Sequence, residues 1–207
     1  MYRQKGLPGL LKATALLVIF YQIVIDITRT WQLIAYNASY YHSYDGLDVM
    51  DVIRDIFFYH YGVLLLIAAI VFLGYNGRKP LALIGGLLLL FESLINLGWN
   101  IAYKILANAG NFEFISHSSL WFTRGISVLF VAALILIAIY CRHKGMIVMA
   151  ILIAIQQLVF WPVFSYFVNH MQPDFNVWLP INWVITWLGS IFEVIYLFMW
   201  SKNAKIA

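Results

Sequence analysis

A single cysteine, Cys141, stands among 207 residues, which excludes an intrachain disulfide framework and any CxxC redox or zinc motif. Charge is scarce as well: 11% of the residues are Asp, Glu, Lys or Arg, where a soluble domain carries about 25%. There is no HExxH, no GxSxG and no Walker sequence, so zinc proteolysis, serine hydrolysis and nucleotide hydrolysis lack support. Histidine is thin where it would count. Only His60 lies inside an apolar run, with His42, His117, His143 and His170 in loops or at edges, so the two facing axial ligands of a b-type haem are missing. No cofactor and no bound metal are expected. The net charge of +4 comes from basic residues spread through turns and tails, which speaks against a nucleic-acid partner.

What the chain does have is apolar bulk: 63% hydrophobic residues and a mean hydropathy of +0.84. A soluble fold of this size has too little interior to hide that surface, so lipid must be the solvent for most of it. Spanning a bilayer takes about 20 mostly apolar residues. Six runs qualify: Leu10–Trp31, Asp55–Tyr75, Pro80–Tyr103, Leu120–Tyr140, Met146–Phe167 and Trp178–Trp200. The sequence thus predicts an all-α, polytopic integral membrane bundle of six helices in a single domain, 1–207. The first run is full length and lacks a small-residue cleavage site, so it reads as a span and not a removable signal. Its uncharged core, Ala13 to Ile25, is too short to cross, and the helix must continue through Asp26 and Arg29, which are spaced to pair on one face.

Charge gives the direction. Arg3 and Lys5 (with Lys12 just inside the first run), then Arg78 and Lys79, then Arg142 and Lys144, then Lys202 and Lys205 fall in tails and alternate turns that hold no Asp or Glu. Asp45, Asp48, Asp51, Glu113 and Asp174 fall in the others. The positive-inside bias places both termini in the cytoplasm. The cytoplasmic turns are short ("NGRKP", "CRHKG") and the outer connections longer and aromatic ("YNASYYHSYDGLD"). Asn37 in "NAS" fits an outer-side glycosylation acceptor. Cys141 ends the fourth run, where palmitoylation is open to it. Trp31, Trp121, Trp178 and Trp200 fall near span ends, as an aromatic belt would have them.

Against this background the polar residues inside the runs stand out, because a charged group at membrane depth costs about 2.5–3.5 kcal/mol and usually faces a partner or a water-filled cavity. Glu92 lies about 16 Å up a helix from Leu81, near the bilayer midplane. Asn96, Asn100 and Tyr103 continue its face outward. In the sixth run Asn182, Thr186, Gly189 and Glu193 form a stripe, with Glu193 also near the midplane. The first run adds Gln22, Asp26 and Arg29, and the fifth adds Gln157, Trp161 and Ser165, with Pro162 breaking its hydrogen-bond ladder. Arg54, Asp55 and His60 on the second run and Arg124 and Ser127 on the fourth sit toward the outer ends. The inner halves of the second and fourth runs are plain Leu, Ile, Val and Ala.

This lopsided polarity predicts a cavity open to the outside and closed toward the cytoplasm by a dry plug. The leading expectation is a site for a small solute or ion, in a transporter or the membrane subunit of one. Glu92 and Glu193 would be proton or cation sites, Asn96, Asn100, Asn182 and Gln157 orienting groups, and Arg124 an anion contact, with Asp26 and His60 as further candidates. A membrane-embedded enzyme would use the same carboxylates with His60 as acid and base on a lipid-like substrate. A non-catalytic subunit would instead seal its stripes against partner membrane chains. The bland reading of each residue stays in view. Asp26 with Arg29 fits a structural pair, Arg54 and Arg124 fit snorkelling to headgroups, and the amides fit interhelical hydrogen bonds.

Overall fold

The computed structural model describes residues 6–35, 49–108, 110, 112–171 and 175–204. Seven α-helices and one π turn make up the described chain. They are α1 (Gly6–Ala35), α2 (Val49–Asn76), α3 (Pro80–Asn108), α4 (Phe112–Cys141), α5 (Lys144–Ile155), the π turn Gln156–Phe160, α6 (Trp161–Met171) and α7 (Phe175–Asn203). Helices α5 and α6 with the turn between them form one rod. Among the described residues six helices are therefore long and apolar enough to cross a membrane: Gly6–Thr28, Ile56–Asn76, Pro80–Tyr103, Phe122–Cys141, Lys144–Val168 and Leu179–Asn203. The fold is an all-α multi-pass membrane bundle. α1 does run on through Asp26 and Arg29, although the Arg29 side chain, and with it the expected ion pair, lies outside the described residues. Asn37 and the side chains of Arg54, Asp55, Trp31, Trp121 and Trp178 lie outside them too.

Helix formation here follows from solvent. In hydrocarbon every backbone N–H and C=O must be satisfied within the segment, and a helix does so without neighbours. Each apolar window buries only 17–33% of its residues inside the bundle. Leu16, Phe20, Ile84, Phe91, Val148 and Ile191 are among the many large side chains left facing outward, an arrangement tolerable only when lipid surrounds it. Two of the turns are tightly built. Pro80 opens α3, where its missing N–H costs nothing. His143, after Arg142 in the left-handed region (φ 51°), accepts from the Met146 N–H at 3.2 Å and caps α5.

Neighbouring spans close into a ring: α1 packs on α2, α2 on α3, α3 on α4, α4 on α5, α5 on α7, and α7 back on α1. Small residues let the helices approach, as membrane helix packing requires. A Cβ on Gly86 would come within 2.6 Å of Leu73 on α2, and one on Gly85 within 3.3 Å of the Ile137 backbone on α4. At the end of the ring bearing the two short turns, the interior is filled. Phe72 (2% exposed) and Trp200 (0%) meet edge to face with centroids 5.3 Å apart, and Phe72 and Tyr140 do so at 5.9 Å. Tyr140 donates to Asn76 Oδ1 at 2.8 Å, and buried Tyr196 donates across the ring to the Leu134 carbonyl at 2.7 Å. Trp200 therefore belongs to the core plug and not to an interfacial belt. Its place near the end of a run misled the sequence reading, because α7 extends to Asn203 and carries it inward.

Candidate functional site

The opposite half of the ring is hollow. A cavity of about 490 Å³ is walled by Phe58 and Tyr61 from α2, by Glu92, Asn96, Trp99, Asn100 and Tyr103 from α3, by Thr123, Ile126, Ser127 and Phe130 from α4, by Gln157 from the π turn and by Glu193 from α7. The α3 wall is a single face at intervals of three and four residues. At the cavity rim Tyr103 of α3 and Thr123 of α4 are exposed, whereas Glu92, lower down, is 3% exposed.

At the floor the two carboxylates differ in their partners. Tyr61 Oη donates to Glu193 Oε1, tying α2 to α7. Glu92 Oε2 accepts a long bond, 3.3 Å, from Ser93 Oγ next to it in the chain. No basic side chain lines the cavity among the described residues. Higher up, Asn100 Nδ2 donates to the Asn96 carbonyl (2.7 Å) and to Asn96 Oδ1 (3.0 Å), and Ser127 Oγ donates to Gln157 Oε1 at 3.3 Å. The Trp99 ring lies flat on Phe122, 4.4 Å between centroids and 6° between planes, which fixes its orientation.

The π turn explains how two adjacent glutamines do different work. Pro162 has no N–H to give and its ring presses on the carbonyl four residues back, so the helix widens in the preceding turn, where the Trp161 N–H reaches Gln156 O. Gln157 meets the cavity. Gln156, 3% exposed, reaches across to α7, where its Nε2 donates to the Ile185 carbonyl at 3.4 Å. Gly189 makes room for it, since a Cβ there would sit 2.6 Å from Gln156 Nε2. Gln156 thus serves as an interhelical hydrogen-bonding group.

Of the residues singled out by sequence, Glu92, Glu193, Asn96, Asn100 and Gln157 come together in the cavity wall. Asn182, Asp26, Arg124 and His60 do not. Asn182 is buried (5% exposed) nearer the start of α7, its carbonyl accepting from Thr186 Oγ1 at 2.6 Å. Asp26 joins a separate polar strand between α1 and α7: Gln22 Nε2 donates to Asp26 Oδ1 (3.2 Å), and Ser190 Oγ donates to Gln22 Oε1 (3.4 Å). Arg124 is exposed although Thr123 beside it is in the wall. His60 is exposed, its Nδ1 bonded to the Ile56 carbonyl of its own helix at 2.7 Å.

Sequence reasoning passed over Tyr61, Phe58, Trp99, Thr123, Ile126 and Phe130. A signal existed for the first two: Phe58 and Tyr61 are spaced to share one helical face, with a phenol at membrane depth. The remaining aromatics are indistinguishable from lipid-facing ones without the ring closure that turns them inward. Among the described residues no group of three or more His, Cys, Asp or Glu side chains is placed to hold a metal ion. No protein family, curated protein or solved structure matches the chain.

Proposed function

We propose that this protein binds a small solute in the cavity between α2, α3, α4 and α7, entered from the side of the longer loops, and acts as a transporter or the membrane subunit of one. The observation that carries the reading is the pairing of buried Glu92 with Glu193 at the floor of a cavity of about 490 Å³. Carboxylates are retained at membrane depth where they face a functional path, and the volume falls in the ~300–1,000 Å³ range of small-molecule sites. The aromatic plug beneath the floor supports access from one side only. The basic short turns support a cytoplasmic position for that plug and for both termini.

The test is aqueous access. In a Cys141→Ala background, Asn96→Cys should react with a membrane-impermeant thiol reagent added to the loop side of proteoliposomes. Phe72→Cys in the plug should react from neither side. Absence of reaction at Asn96→Cys would contradict the reading, because the cavity would then be sealed by protein or filled with lipid.

A further inference from the structure

Resting on that reading of the cavity as a solute site, we infer that its ligand is an organic cation: a protonated or quaternary amine carried on an aromatic or apolar body. The charge of the lining comes first. Two carboxylates face the space and no described basic side chain does. In low dielectric two such groups cannot both stay ionised without a cation. An anionic solute would find no described counter-charge, and a neutral one would leave the carboxylates to be neutralised by protons alone, whereas a cation satisfies them directly.

Size and walls narrow the class further. The space far exceeds what a bare ion fills, and the described residues hold no metal-binding cluster. Phe58, Trp99, Tyr103 and Phe130 place aromatic rings in the wall. A cation over the face of such a ring gains about 0.5–2 kcal/mol, most when desolvated. Trp99, held by its stack on Phe122, offers that face without an ordering cost. The carboxylates divide the work. Glu193 is engaged across the ring by Tyr61, whereas Glu92 is bonded only by neighbours on its own helix, Ser93 and Asn96, so Glu92 is the carboxylate open to the ligand's cationic head. A zwitterionic phospholipid is a poorer fit, because its phosphate would find no basic partner in this lining.

The full-length protein, in detergent and in phosphatidylglycerol nanodiscs, would be titrated with phenethylammonium, phenethyltrimethylammonium, phenylacetate and phenylethanol. Equilibrium dialysis and tryptophan fluorescence would report binding. Both cations should bind saturably, the anion and the alcohol at least about tenfold more weakly, and Glu92→Gln should weaken the cations by about tenfold or more. The ligand series on the unaltered protein keeps the test valid if that variant folds badly. Phenylacetate or phenylethanol binding as tightly as the amine would overturn the inference, as would cation binding untouched by Glu92→Gln. Loss of amine binding in phosphatidylethanolamine nanodiscs, with retention in phosphatidylglycerol, would reassign the site to a lipid headgroup. If none of the four binds while Asn96→Cys still labels, the organic-cation inference fails and the cavity reading stands. If Asn96→Cys is silent as well, both fail.

Discussion

Tyr61 on α2 and Glu193 on α7 are joined by a hydrogen bond between two helices that are not adjacent in the ring and otherwise meet through Phe72 and Trp200 in the plug. The bond crosses the floor of the hollow half of the bundle and anchors one of its two carboxylates. Removing the phenol oxygen should therefore be felt in stability as well as in binding. Tyr61→Phe keeps the ring and strands Glu193 without its donor, a loss of about 1–3 kcal/mol. Thermal unfolding in detergent should shift down accordingly. An unshifted transition would mean that Glu193 finds an equivalent donor unaided.

Glu92 is expected to behave differently. With no described cation beside it and only Ser93 and Asn96 of its own helix bonded to it, Glu92→Gln keeps size and most hydrogen bonding, so the melting temperature should change little. Binding or transport should instead change its dependence on pH, since one of the two carboxylates has left the wall and Glu193 remains. Severe instability of this variant would reveal a buried cation paired with Glu92, because an unpaired buried charge costs several kcal/mol.

The two asparagines offer an internal control. Asn96 is in the cavity wall and Asn182 is not. Replacing either with Leu raises hydropathy and should leave insertion intact, yet only Asn96→Leu should weaken solute binding. Equal effects from both, or none from either, would mean that the wall has been misassigned.

Gly189 tests the seat of the π turn. Its Cβ would fall 2.6 Å from Gln156 Nε2, so Gly189→Ala should force Gln156 aside. Overpacking of this kind costs about 1–3 kcal/mol. Gln156→Ala in the same chain should recover part of the loss. Additive losses in the double variant would show that the glycine is needed for some other reason.

How far the sequence alone reaches can be judged from particular residues. Six spans were legible because lipid demands length and apolarity that no soluble helix needs. Glu92, Asn96 and Asn100 were legible because polar groups at helical spacing in a greasy run have few bland explanations. Asn182 and Glu193 look alike along one stripe, yet they lie about 16 Å apart along the axis, and only Glu193 reaches the hollow. Which of two equivalent stripe members faces the space depends on ring order, and ring order is tertiary information. Trp200 failed for a related reason: a tryptophan near a span end reads as interfacial until a neighbour such as Phe72 is known to cover it.

Direction across the membrane rests on the charged turns and has its own check. Single cysteines at Gly77 and at Ser43, placed in the Cys141→Ala background, should label from opposite faces, Gly77→Cys from the cytoplasmic one. Labelling of both from one face would add or remove a crossing.

The central claim, that the hollow between Glu92 and Glu193 is where a solute binds, is tested most directly by crystals grown with para-bromophenethylammonium. The account expects an anomalous bromine peak among Phe58, Trp99 and Phe130, with the ammonium density beside Glu92. A bromine peak confined to the lipid-facing surface, or a cavity filled by an acyl chain at saturating amine, would contradict it.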